Sequence, residues 1–88
     1  MKVKFEAVFA KDLKSIREKA LLKRITQIID EVKKADNINQ INSLKKLKGY
    51  DTFYRVRFGD YRLGIEIIDN EIIFTRFLHR KDIYRYFP

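Results

Sequence analysis

The chain is predicted to fold as a single α+β domain in the order β-α-α-β-β-β, with two helices packed on one face of an antiparallel sheet. Three observations carry this expectation. Residues 20–34 repeat apolar side chains at helical spacing, three later segments alternate apolar with other residues, and two-residue turn signals join those segments. With 88 residues there is room for one domain, spanning 1–88, in which somewhat over ~60% of the unfolded chain's surface can be buried.

In chain order, Lys2 to Phe9 alternate as a strand, with Val3, Phe5, Ala7 and Phe9 on one face and Lys2, Lys4 and Glu6 among those on the other. Asp12 is then placed to cap a short first helix carrying Leu13 and Ile16. From Ala20 to Lys34 the stripe Leu21, Leu22, Ile25, Ile28, Ile29 and Val32 marks an amphipathic second helix. Asp36-Asn37, Asn39 and Asn42 make a polar connection, after which Leu44 to Gly49 lead into the sheet. Strands follow at Phe53 to Phe58, Tyr61 to Ile68 and Glu71 to Leu78, joined by Gly59-Asp60 and Asp69-Asn70. Such short turns impose antiparallel order. Arg80 to Pro88 close the chain as one helical turn or a packed tail, with Ile83 and Phe87 assigned to the core.

Composition narrows the function classes. At 45% hydrophobic and 36% charged the chain is globular but more charged than an average domain, and twenty basic against twelve acidic residues give a net charge of +8. This excess points to a polyanion such as nucleic acid, or to an acidic protein that masks the surface. Without cysteine, and with one histidine, no disulfide, thiolate metal site or ordinary zinc cluster is expected, and no cofactor is called for. The stretch Met1 to Glu6 carries charges where a signal peptide needs its apolar run, and no segment approaches the ~20 apolar residues of a membrane span. A cytoplasmic protein, monomeric when alone, is the expectation.

The first hairpin carries the most specific signal. Counting outward from Gly59-Asp60 pairs Phe58 with Tyr61, Arg57 with Arg62, Val56 with Leu63 and Arg55 with Gly64. Like charges directly opposed across strands destabilise a sheet, and an anion bound between Arg57 and Arg62 removes that penalty. Arginine suits a phosphodiester because its planar fork stays charged and donates two parallel hydrogen bonds. Gly64 is expected to leave an open floor for a ribose or base. The same register across the second turn pairs Gly64 with Thr75 and Arg62 with Phe77, placing Thr75, Phe77 and His79 on the arginine face. Tyr54, Val56, Phe58, Tyr61, Leu63, Ile65, Ile67, Ile72 and Phe74 form the opposite, core face. Arg76 falls on that apolar face unless a bulge or an edge position resolves it.

Further candidates flank the hairpin. Lys45, Lys46 and Lys48 form a basic cluster that is either a solvated loop or a surface steering RNA. The run from Phe77 to Phe87 interleaves basic and aromatic residues, with Tyr84 and Tyr86 as candidates to contact a nucleotide. His79 is a candidate to move protons, although a lone histidine more often has a structural explanation.

The order of these segments resembles the RelE/ParE superfamily of toxins from type II toxin-antitoxin pairs, and within it the RelE-like branch. The resemblance covers nearly the whole chain, through Leu44 to Gly49, Tyr54-Arg55-Val56-Arg57, Gly59-Asp60-Tyr61-Arg62-Leu63 and His79-Arg80-Lys81-Asp82-Ile83-Tyr84. It implies a toxin silenced by a cognate antitoxin and cleaving messenger RNA in the ribosomal A site without a metal. By position it implies Arg55, Arg57, Arg62, Arg80 and Tyr84 as site residues, of which Arg57, Arg62, Arg80 and Tyr84 are expected to be catalytic. Arg55 is expected to contact RNA together with Lys45, Lys46, Lys48, His79 and Tyr86, the candidates read from the residues themselves. Well-known members of this branch have lysines where Arg55 and Arg57 stand. A lysine can be depressed until it accepts a proton, whereas arginine stays charged at pH 7. Arg55 and Arg57 are therefore expected to stabilise charge, leaving the base to Tyr84, His79 or a ribosomal group. The ParE branch implies instead a non-nucleolytic inhibitor of DNA gyrase, and an inactive RNA-binding homologue is the third alternative.

Overall fold

The computed structural model describes residues 1–88. The elements are β1 Lys2–Phe5, α1 Ala7–Lys14, α2 Lys19–Lys34, a 3-10 turn at Ile38–Gln40, β2 Lys45–Lys46, β3 Phe53–Phe58, β4 Tyr61–Ile68, β5 Glu71–His79 and α3 Ile83–Tyr86. The five strands lie in the order β1-β5-β4-β3-β2. β1 runs parallel to β5 and every other pairing is antiparallel.

The sheet is built around the two turns that local chemistry dictates. Gly59 takes φ 58 at the first central position of its turn, where glycine carries no Cβ penalty, while Asp69 and Asn70 both take positive φ (48 and 64), as the mirror-image turn of a tight hairpin requires. β3 and β4 consequently pair as expected, Arg57 opposite Arg62 and Arg55 opposite Gly64. Val56, Phe58, Leu63, Ile65, Ile72 and Phe74 turn to the helix-covered face and are buried with Phe9, Leu21, Ile25 and Val32. Burying each such side chain contributes ~1.5–3 kcal/mol, which is the main force joining helices to sheet.

Three expectations are corrected. The first strand ends at Phe5 rather than Phe9, because parallel pairing stops at Phe5 with Phe74 and Ala7 already begins α1. Alternation from Val3 to Phe9 was ambiguous with the helical spacing of Phe9 and Leu13. Asp12 is not the cap of the first helix. Glu6 holds that position, and Asp12 lies buried in the last turn of α1, accepting from Arg76 Nε at 2.8 Å, Arg76 Nη2 at 3.0 Å and the Phe77 backbone N–H at 2.9 Å. Past Phe74, β5 has no further partner in β1, and the Asp12 carboxylate satisfies one of the edge donors that a strand would otherwise take.

The third correction concerns the register of β5. A bulge between Gly64 and Ile65 moves the pairs to Gly64 with Arg76, Arg62 with Leu78 and Tyr61 with His79. Thr75 becomes the extra residue, its hydroxyl donating to the Gly64 carbonyl at 2.8 Å. Phe77 therefore turns into the core, stacked on Tyr61 at 5.3 Å, and His79 follows it onto the helix side, leaving Arg76 rather than Phe77 and His79 on the arginine face. The two helices lie on one face as expected. α1 and α2 flank the core face, but the final turn α3 folds back over the arginine face, burying Ile83 and Phe87 there. The pair Lys45–Lys46 also adds a short edge strand to the four strands foreseen.

Candidate nucleic-acid interface

Two adjacent rows of the sheet carry the cationic face. One runs Lys45, Arg55, Gly64, Arg76 across β2, β3, β4 and β5, and the other runs Arg57, Arg62, Leu78. The ion pairs of the molecule are Lys2 and Lys4 with Glu71, Arg76 with Asp12 and Arg80 with Asp60, so Arg55, Arg57, Arg62, Lys45, Lys46 and Lys48 have no acidic partner. Arg57 is exposed, and Arg62 is half-buried. Arg62 is also held in place. Its Nη1 donates to the carbonyls of Gly59 at 2.6 Å and Tyr61 at 2.8 Å, which leaves the Nε–Nη2 edge free to fork onto an anion.

Arg80 reaches the same end of the sheet. Its backbone N–H donates to the Asp60 carbonyl at 2.7 Å, fastening the start of the C-terminal turn to the β3–β4 hairpin. The side-chain pair of Arg80 Nε with Asp60, 3.8 Å apart and largely exposed, is a weak restraint that phosphate can displace. From there α3 crosses the sheet, Phe87 resting on Gly64 and meeting Phe53 edge-on at 5.4 Å. The open floor expected at Gly64 is thus filled, because a residue without Cβ is what admits the Phe87 ring.

That crossing separates the two tyrosines. Tyr84 is exposed and lines a cleft of about 500 Å³ with Lys45, Lys46, Lys48, Arg55, Tyr50 and Phe87. Tyr86 points the other way, toward α1, with the Arg76 guanidinium 5.3 Å from its ring centre. Arg76 is held in its charged form above arginine's ordinary pKa, chiefly by its hydrogen bonds to Asp12, with burial opposing. His79 accepts the Lys81 backbone N–H at Nδ1 (3.1 Å) and sits edge-on to Tyr61 at 5.6 Å, apart from the arginine rows. The structure therefore gathers Arg55, Arg57, Arg62, Lys45, Lys48, Arg80 and Tyr84 on one face, leaves Lys46, paired with Tyr54, on the other side of the edge strand although it still lines the cleft, and removes His79 from that face. Among the residues that form this face, Tyr50 and the Asp12–Arg76 pair were missed. An aromatic residue in the polar loop after Lys48-Gly49 was the available signal for Tyr50; nothing local pointed to Asp12.

A family model described as the ParE toxin of the type II toxin-antitoxin system parDE matches residues 3–84. Fold and sequence thus define a toxin of the type II toxin-antitoxin class. Toxin RelE3 of Methanocaldococcus jannaschii is 48% identical over 89 residues, covering 100% of both chains. The toxin of the RelB-RelE antitoxin-toxin complex from Methanococcus jannaschii superposes with a TM-score of 0.82 at 46% identity, over 97% of this chain and 99% of that one. The archaeal RelE-RelB complex from Pyrococcus horikoshii OT3 gives 0.70 at 26% identity, over 90% and 93%. The chain belongs to the RelE/ParE toxin superfamily, on its RelE-like branch. No helix is long and apolar enough to cross a membrane.

Proposed function

We propose that the protein is a ribosome-dependent endoribonuclease that cuts messenger RNA without a metal, by attack of a ribose 2′-hydroxyl on the adjacent phosphate. The products are a 2′,3′-cyclic phosphate and a 5′-hydroxyl end. The observation that supports this most is the direct opposition of Arg57 and Arg62 on a face where neither has an acidic partner. Negative charge grows on the non-bridging phosphate oxygens during attack, and cations already fixed around them stabilise the transition state more than the ground state.

In this scheme Arg62 presents its free Nε–Nη2 edge to those oxygens and Arg57 flanks them from β3. Arg80, beside the hairpin turn, neutralises the leaving oxygen or the flanking phosphate. Arg55 and the three lysines track the backbone, and Tyr84 orients the nucleotide or exchanges protons. Arginine does not act as a base at pH 7, and His79 lies on the helix side, so the base is Tyr84 or a group on the ribosome. The working location is the cytoplasm. Because the RelE relatives occur in complexes with RelB, a cognate antitoxin is the natural partner, an acidic or amphipathic segment masking the basic face or a groove beside the helices, with the toxin monomeric when free.

The test maps new 5′ ends on a defined messenger in a cell-free translation reaction, with and without ribosomes, for the parent and Arg62→Ala. Cuts that need ribosomes and fall by about 10²–10³ in the variant, the usual effect of removing one such donor, are expected. The ParE description of the family model keeps one rival in view, inhibition of DNA gyrase. Intact messenger together with gyrase inhibition that survives Arg62→Ala would select the rival.

A further inference from the structure

We infer that the cleft between β2 and α3 holds one nucleotide of single-stranded RNA, its base stacked on Tyr50 and its phosphate on the surrounding lysines and Arg55. Four clefts open on the surface, and this one is the largest, about 500 Å³ against 220, 200 and 320 Å³. Its volume lies in the ~300–1,000 Å³ range of small-molecule sites. Charge separates it from the others more sharply than size. Each of the other three has at least one carboxylate side chain in its wall, Glu18 and Asp60, Glu31, or Glu6 and Glu66, whereas here Lys45, Lys46, Lys48 and Arg55 meet no acidic side chain.

The aromatic part of the cleft is built rather than incidental. Gly49 turns the chain at φ 85, and the Tyr50 N–H closes that turn on the Leu47 carbonyl at 3.3 Å. The Tyr50 ring meets Phe53 edge-on at 5.6 Å, and Phe53 meets Phe87 edge-on at 5.4 Å, above Gly64. This ladder anchors Tyr50 to the sheet while leaving it 48% exposed. An aromatic ring fixed before the ligand arrives loses little freedom on stacking. Cations alone suit any polyanion, including an acidic peptide. A fixed aromatic platform beside them, with exposed Tyr84 on the same cleft, matches the alternating base and phosphate of a single strand.

The choice of RNA as the polymer rests on the proposed nuclease function, so binding is measured separately from cleavage. A fluorescein-labelled six-nucleotide RNA carrying 2′-O-methyl groups, which blocks the nucleophile, is titrated with the free protein and its variants by anisotropy at several salt concentrations. Tyr50→Phe is expected to bind within about twofold of the parent and Tyr50→Ala about fivefold or more weakly, as loss of one stacked base gives. Lys48→Ala lowers the slope of log K against log salt by about 0.7, and Tyr50→Ala leaves that slope alone. Circular dichroism checks that each variant is folded. Equal binding by Tyr50→Ala and the parent would overturn the inference, as would dependence on Tyr50 for a glutamate-rich peptide and not for RNA. Tyr50-dependent binding without messenger cleavage would refute the nuclease and leave the cleft standing; cleavage with Tyr50-independent binding would do the reverse.

Discussion

Asp12→Ala removes one carboxylate that serves three donors on β5, and the loss can be worked from its contacts. The Phe77 backbone N–H, buried and donating at 2.9 Å, is left without a partner, which costs about 1–3 kcal/mol. Breaking a buried ion pair costs a further ~3–5 kcal/mol, but the Arg76 side chain keeps 20% of its surface in solvent and recovers part of that by hydration. A net loss of about 3–4 kcal/mol is expected, against a total of about 4–13 kcal/mol for a domain of this length. Urea unfolding followed by circular dichroism reads this as a lowered midpoint at unchanged slope. Asp12→Asn keeps an acceptor for the Phe77 N–H and should lose about half as much. Because Arg76 lies over Tyr86, amide exchange in residues 83–87 should also quicken in Asp12→Ala. A loss below about 1 kcal/mol would show that α1 is held by Phe9 and its apolar neighbours, and that the carboxylate is incidental.

Three other outcomes follow from the same structure. In Gly64→Ala the new Cβ falls 2.8 Å from Phe87 Cγ and Cδ1, so the ring must lift and quicken amide exchange in residues 83–87; a tail as protected as the parent's would refute the contact. Arg57→Thr relieves the opposition to Arg62 and should raise stability by about 0.2–1 kcal/mol at low salt, with the gain shrinking in 1 M salt while activity falls. A variant less stable than the parent at low salt would contradict that account. The Glu71 carboxyl is held below the usual carboxylate range chiefly by a hydrogen bond from Lys4, with desolvation opposing and the charges of Lys4 and Lys2 assisting. A depressed pKa contributes stability above the unfolded value and loses it as pH falls through the folded one, so the difference between parent and Glu71→Gln should vanish with acidification from about pH 6 to pH 2. A difference that persists at the acid end would point to packing instead.

The parts read correctly from the chain alone are those whose determinants lie within a few residues. Gly59-Asp60 and Asp69-Asn70 set their turns by backbone preference, and a tight turn propagates register outward, so the opposition of Arg57 and Arg62 followed without any knowledge of the rest. The stripe from Leu21 to Val32 marked α2 in the same way. Register failed at the first bulge. The order Phe74-Thr75-Arg76-Phe77 breaks strict alternation, and whether the extra residue is Thr75 or Arg76 depends on what waits beside each.

Sequence by itself thus determined the class of fold, the basic face and the family, because turn chemistry, hydrophobic period and charge are local or additive properties. Only the tertiary structure decided what shares that face. Asp12 and Arg76 stand 64 positions apart, and their pairing places Arg76 beside Gly64 while Phe77 and His79 turn inward. Phe87 occupies the floor that Gly64 alone left open, and in crossing the sheet it sends Tyr84 to the cationic cleft and Tyr86 to Arg76. Contacts of this kind depend on which distant surfaces the packed core brings within a few ångströms, and no local preference along the chain encodes that distance.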